Sequence, residues 1–90
     1  MFTVTEAALD RLTRKLSRKK AADEQAMRFA AKEGGWRLRL DCQGPDDTVF
    51  AHRGRNVLLL DQAVALAMTN KTLDARNTEA GPRLTLRDVQ

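Results

Sequence analysis

The hydrophobic pattern changes period once, near residue 25, and that change decides most of what the chain can fold into. Up to Lys20 the apolar residues recur at helical spacing: Leu9, Leu12 and Leu16, with Ala8 beside them. Side chains three and four positions apart share one face of a helix. From Met27 onward the spacing is two. Met27, Phe29 and Ala31 alternate with Arg28, Ala30 and Lys32. After Glu33-Gly34-Gly35, Trp36, Leu38 and Leu40 alternate with Arg37, Arg39 and Asp41. Two alternating runs joined by a glycine pair predict a β-hairpin with one apolar and one charged face.

The helix has a legible start. Thr5 is the expected N-cap, since its hydroxyl can accept an N–H of the first turn, and Glu6 suits the positive end of the helix dipole. Val4 and Leu9 flank that cap as a hydrophobic staple. The opposite face carries Arg11, Arg14, Lys15, Arg18, Lys19 and Lys20, and the helix is expected to end near Lys20.

Beyond the hairpin, Gln43-Gly44-Pro45-Asp46-Asp47 is a turn-rich loop. Residues 48–52 form a short strand, Arg53-Gly54-Arg55 turns the chain, and residues 56–60 return it. The unbroken apolar run at residues 57–60 predicts a central strand buried on both faces. Asp61 caps a short helix through residues 62–68. A strand follows at residues 72–76, Gly81-Pro82 interrupts, and Leu84 and Leu86 mark a last short strand. Strand and helix do not alternate as they would around a parallel sheet. The expectation is an α+β fold: an N-terminal helix on mixed or antiparallel sheets, with one further short helix.

Composition limits the scale and the setting. Ninety residues bury roughly 60–65% of the surface of the unfolded chain, enough for one modest core, so residues 1–90 are read as a single domain. With 42% hydrophobic residues the chain is too apolar to stay disordered. One cysteine, Cys42, permits no internal disulfide. No apolar run reaches the roughly 20 residues that span a bilayer, and the opening Met1-Phe2-Thr3-Val4-Thr5-Glu6 lacks the basic and apolar regions of a signal peptide. The default location is cytoplasmic, with no membrane contact. The charge is uneven: residues 1–39 hold ten Lys/Arg and five Asp/Glu, whereas residues 40–90 hold six and seven.

Few residues offer chemistry. Cys42 and His52 are the only soft metal-ligand candidates, and a structural zinc site needs four N or S ligands. No metal site, no cofactor and no catalytic residue is expected, and therefore no enzyme. Cys42 is either a reactive thiol, able to pair with Cys42 of a second chain, or, as the better reading, a small, partly buried apolar side chain. His52, beside the Arg53-Gly54 turn, reads as a solvated hairpin residue. Asp46 and Asp47 read as turn residues, and Asp46, Asp47, Asp61 and Asp74 form no acid/base pair. Gly34-Gly35 lacks the following helix and lysine of a phosphate loop.

Arg11, Arg14, Lys15 and Arg18 on the helix, together with Arg28, Lys32, Arg37 and Arg39 on the hairpin, could form a footprint for nucleic acid or another polyanion. The interleaved aromatics of nucleic-acid-binding sheets are missing, since Trp36 is the only tryptophan and alternates onto the core face. A solvated charged surface is the better reading.

The order of these pieces resembles the HesB/IscA-like family of A-type iron–sulfur carriers. The residues that carry the resemblance run along nearly the whole chain: Phe2-Thr3-Val4-Thr5-Glu6-Ala7-Ala8-Leu9-Asp10-Arg11-Leu12, then Met27-Arg28-Phe29 with Gly34-Gly35, then Asp47-Thr48-Val49-Phe50, Gly54, Val57-Leu58-Leu59-Leu60-Asp61 and Leu73-Asp74. Each motif is weak alone, and their shared order is what matches. The resemblance implies a HesB-like, β-sandwich-type fold and a role in iron–sulfur assembly. It also implies what is missing. Trp36 stands where the family has its first ligand cysteine, Arg37-Leu38 replaces the Ser-Gly that follows it, the C-terminal Cys-Gly-Cys has no counterpart, and Cys42 aligns with none of the three. The implied protein is a degenerate member: a non-enzymatic accessory or interaction protein, partnered by a second copy or by a cysteine-bearing family member, and without a cluster of its own.

Overall fold

The computed structural model describes residues 2–88. In chain order the elements are β1 (Thr3–Val4), α1 (Glu6–Arg18), β2 (Gln25–Lys32), β3 (Gly35–Cys42), β4 (Thr48–His52), β5 (Arg55–Leu60), α2 (Gln62–Ala67), β6 (Lys71–Thr78) and β7 (Gly81–Asp88). This is the α+β arrangement expected from the change of period. The strands form two sheets, one of four strands in the order β3-β2-β5-β4 and one of three in the order β1-β6-β7.

The hairpin follows the alternation closely. β2 and β3 pair antiparallel with Met27 opposite Leu40, Phe29 opposite Leu38 and Ala31 opposite Trp36. The turn itself is Glu33-Gly34, with Gly34 at φ +79° and Gly35 already in the strand. A left-handed φ at that point costs glycine little and other residues more. The apolar face is not buried to its end, however. Met27 and Phe29 are sealed in the core, but Ala31 is exposed because the hairpin tip runs past the core's edge.

β5 is the central strand that its apolar run predicts. It pairs antiparallel with β4 and parallel with β2, and Val57, Leu58, Leu59 and Leu60 are all fully buried. Val57, Leu58 and Leu60, with Phe2, Ala8, Leu12, Leu16, Met27, Phe29 and Leu73, form one core cluster, against which Trp36, Leu38, Leu40, Phe50, Leu84 and Leu86 pack from the side. Each fully buried Leu or Phe contributes on the order of 1.5–3 kcal/mol before entropy is counted.

Thr5 caps α1 and also ties it to the second sheet. Its Oγ1 accepts from the N–H of Ala8 at 3.2 Å and donates to Asp74 Oδ1 at 2.7 Å, while its own N–H donates to Leu73 O at 3.0 Å. The hydroxyl of Thr5 and the N–H of Ala75 hold the Asp74 carboxyl below the usual carboxylate range. β1 pairs parallel with β6, Thr3 opposite Thr72 and Val4 opposite Leu73. The helix stops short of Lys20, which takes a left-handed φ of +52° just beyond the cap at Lys19.

Asp61 caps α2 through Val64 N at 2.8 Å, as its position predicts, though α2 ends at Ala67. β7 is longer than the short strand expected: it runs for eight residues, with Pro82 accommodated because β7 lies at a sheet edge. No described helix is long and apolar enough to cross a membrane.

Candidate functional site

An open hollow on the surface lies where α1, β3 and β7 meet. It has a volume of about 350 Å3 and is lined by Arg11, Lys15, Trp36, Leu38, Pro82, Arg83 and Leu84. Its apolar side is built by period-two geometry. Trp36 and Leu38 are on the same face of β3 and pack against the core, and the Trp36 ring lies nearly parallel to Phe29, with centroids 4.9 Å apart and an interplanar angle of 19°. That stacking holds the half-buried indole in place from beneath. Pro82 and Leu84 form the opposite wall.

Its polar side is entirely cationic. Arg11 and Lys15 are one helical turn apart on α1, so they project together. Arg83 comes from the edge strand, where its cross-strand partner is Arg76, another cation. Among the described residues no carboxylate lines the hollow. Burial, and then the neighbouring charges of Arg11, Lys19 and Arg18, push the Lys15 amine below its usual range. Arg11 is the least satisfied group: its Nε and Nη1 are shut off from solvent without a hydrogen-bond partner. Burying a charged donor without an acceptor is costly.

A second basic centre is satisfied. Arg28 Nη1 and Nη2 donate to Asp47 Oδ1 and Oδ2 at 3.0 and 2.5 Å, and its Nε donates to Asp41 Oδ2 at 2.5 Å. Nη2 also reaches Cys42 O at 3.3 Å. Asp47 in turn accepts from Gly44 N at 2.6 Å, which fixes the loop between β3 and β4. These bonds, Arg28 first, hold Asp47 and Asp41 below the usual carboxylate range and raise the Arg28 pKa further. Arg28 is therefore taken up by the protein itself and not free for a polyanion. Asp47 is more than the turn residue its sequence context implies.

The structure also divides the expected basic footprint. Trp36 and Leu38 face the core, so Arg37 and Arg39, alternating with them, project from the other face of the sheet and are exposed. Arg11 and Lys15 stay on the hollow's side. Arg14 and Arg18 are exposed on α1, and Arg14 borders a neighbouring shallow hollow with Asp10, Arg11 and Pro82.

Two single residues differ from expectation. Cys42 is exposed, not partly buried, because it is the last residue of β3, opposite Gln25 and beyond the core. His52 is not a solvated hairpin residue: its side chain is 11% exposed and its Nε2 is 2.7 Å from Asp10 Oδ1 on α1. The pair joins α1 to β4. Among the described residues no hydroxyl or thiol hydrogen-bonds His52, so a nucleophile for it to activate is not in place. Also among the described residues, no three His, Cys, Asp or Glu side chains gather at metal-binding distance.

No protein-family model matches the chain. No curated protein matches it by sequence. Solved structures do. SufA of Escherichia coli, described as involved in the biosynthesis of iron–sulfur clusters, superimposes with a TM-score of 0.73 at 20% identity, over 97% of this chain and 84% of that one. IscA with a [2Fe-2S] cluster superimposes with a TM-score of 0.65 at 19% identity, over 98% and 85%. The element order that resembled the A-type carriers in sequence thus folds as they do: this chain has the fold of SufA and IscA.

Proposed function

We propose that this chain is a non-enzymatic accessory or interaction protein of iron–sulfur cluster assembly, cytoplasmic, acting through contact with a protein partner and holding no cluster on thiolates of its own. The partner is a second copy or a cysteine-bearing protein of the same fold. One observation carries the reading: a carrier fold over nearly the whole chain is combined with a single thiol, exposed Cys42, and with Trp36 packed flat on Phe29 at the position that the resemblance gives to a ligand cysteine.

The donor chemistry supports it. Iron–sulfur clusters are held by thiolates, commonly four of them. A dimer of this chain brings two, and each sits at a strand end bordered by Gln25 and the Asp41 carboxylate, away from the indole. Releasing the indole would also expose apolar surface and break its stacking. These residues do not fit a cluster held by this chain alone.

Anaerobic reconstitution with iron and sulfide tests the reading. The expected result is no stable chromophore on the purified chain, and a complex on size-exclusion chromatography when a cysteine-bearing protein of this fold is added. A stable, stoichiometric cluster on the chain alone would overturn it.

A further inference from the structure

The hollow between α1, β3 and β7 contains an arrangement that neither the fold nor cluster chemistry calls for. Three cations converge on it from two elements, no acid accompanies them among the described residues, and the floor and far wall are an indole, a proline and two leucines. A merely solvated basic surface differs from this in two ways. It does not close off guanidinium nitrogens from water, as happens at Arg11 Nε and Nη1. Nor does it place a rigid aromatic ring beside the charge, as Trp36 is placed by its stacking on Phe29. Elsewhere in this same chain a half-buried arginine is fully paired: Arg28 has two carboxylates. Arg55 also has an unpartnered Nε, but its other nitrogens reach Ala22 O and Asp23, whereas Arg11 has two closed-off nitrogens and no partner among the described residues.

We propose that this hollow binds a small organic anion: an oxyanion group, carboxylate or phosphate, carried on a flat apolar body. The oxyanion sits between Arg11, Lys15 and Arg83, and the flat body lies against Trp36 and Leu84. The volume of about 350 Å3 falls in the range of small-molecule sites, roughly 300–1,000 Å3. Arg11 loses no hydrogen bond in turning toward the anion, because none of the bonds that fix Arg28 exists for it. A guanidinium offers a fork of donors that suits both carboxylate and phosphate.

Trp36 makes the test direct, since it supplies the only indole N–H signal of the chain. The 15N–1H cross-peak of that indole is followed during titration with benzoate, phenyl phosphate, uncharged benzamide and inorganic phosphate. Benzoate or phenyl phosphate is expected to shift it saturably, and whichever binds tighter identifies the head group. Benzamide and inorganic phosphate are each expected to bind at least about tenfold more weakly, as the loss of one charge-assisted contact or of the stacked body requires. Arg11→Gln should weaken benzoate and phenyl phosphate by about tenfold or more, and Arg83→Gln, at an exposed strand position that folding does not need, by a few-fold. Arg53→Asn removes a charge outside the hollow, at a left-handed turn position that Asn accepts, and should leave binding unchanged. Three results would overturn the proposal: benzamide binding as well as benzoate, inorganic phosphate binding as well as phenyl phosphate, or Arg11→Gln and Arg83→Gln both binding like the parent chain.

Discussion

Arg28 and Arg11 are both held partly out of water, and the protein treats them in opposite ways. Arg28 is clamped by Asp47 and Asp41 and joins β2, β3 and the following loop. Arg11 reaches the hollow beside Trp36 with no acceptor at Nε or Nη1. Removing one partner of a buried pair leaves an uncompensated charge, whereas replacing an unpaired buried donor with an apolar group removes a cost. The first arginine thus ties parts of the fold together, and the second contributes no such bond among the described residues.

Four substitutions break or sharpen that contrast. Arg28→Ala should have the largest effect, about 3 kcal/mol of lost stability in denaturant unfolding, because it strands an Asp47 carboxylate that is 7% exposed. An unchanged unfolding midpoint would remove Arg28 from the structural side of the comparison. Trp36→Ala should cost about 2 kcal/mol through lost burial and stacking on Phe29. It should also open the hollow without disturbing the Arg28 network, which amide exchange of the loop at Gly44 would report.

Asp47→Asn should cost about 1–2 kcal/mol at neutral pH, and the cost should depend on pH. Asp47 and Asp41 titrate below the ordinary carboxylate range when folded. Their contribution is therefore complete above the unfolded value of about 3.9 and is lost as the pH falls through the folded values. Exposure of Asp41, at 39%, screens its share, so Asp47 dominates. The parent chain and Asp47→Asn should converge in stability as the pH is lowered below about 4. Curves that stay parallel would show that the charge is not what matters. The smallest effect carries the opposite sign: Arg11→Met should leave stability unchanged or raise it by up to about 1 kcal/mol. A clear loss of stability there would collapse the distinction between the two arginines.

How much of this could be read from the residues depends on range. Helix α1, its Thr5 cap, the β2–β3 hairpin and the buried β5 each follow from a local pattern, and each forms where that pattern places it. The parallel pairing of β2 with β5 and of β1 with β6 joins segments whose alternation is compatible with several partners, so nothing local specifies it. The site shows the same division. Trp36 and Leu38 are placed on one face by alternation, but their meeting with Arg83 depends on how the two sheets pack. Arg28 finds Asp47 across a separation of 19 residues, and His52 finds Asp10 across 42, so no local pattern specifies either pairing. Ala31 and Cys42 show where periodicity fails. A period assigns a face but not the point at which the core ends.

The parallel pairing of Thr3-Val4 with Thr72-Leu73, and the bond from Thr5 to Asp74, carry a consequence for synthesis. A ribosome releases β1 and the cap of α1 first and delivers their partners nearly 70 residues later. Until then the β2–β3 hairpin and β4–β5 can assemble, while the first strand has an unpaired edge and the first helix an unanchored end. Long-range closure of this kind slows folding. The last fifth of the chain is thus what locks the beginning, and a nascent chain stalled before residue 71 holds a four-stranded sheet with nothing to seat its N-terminal helix against the second one.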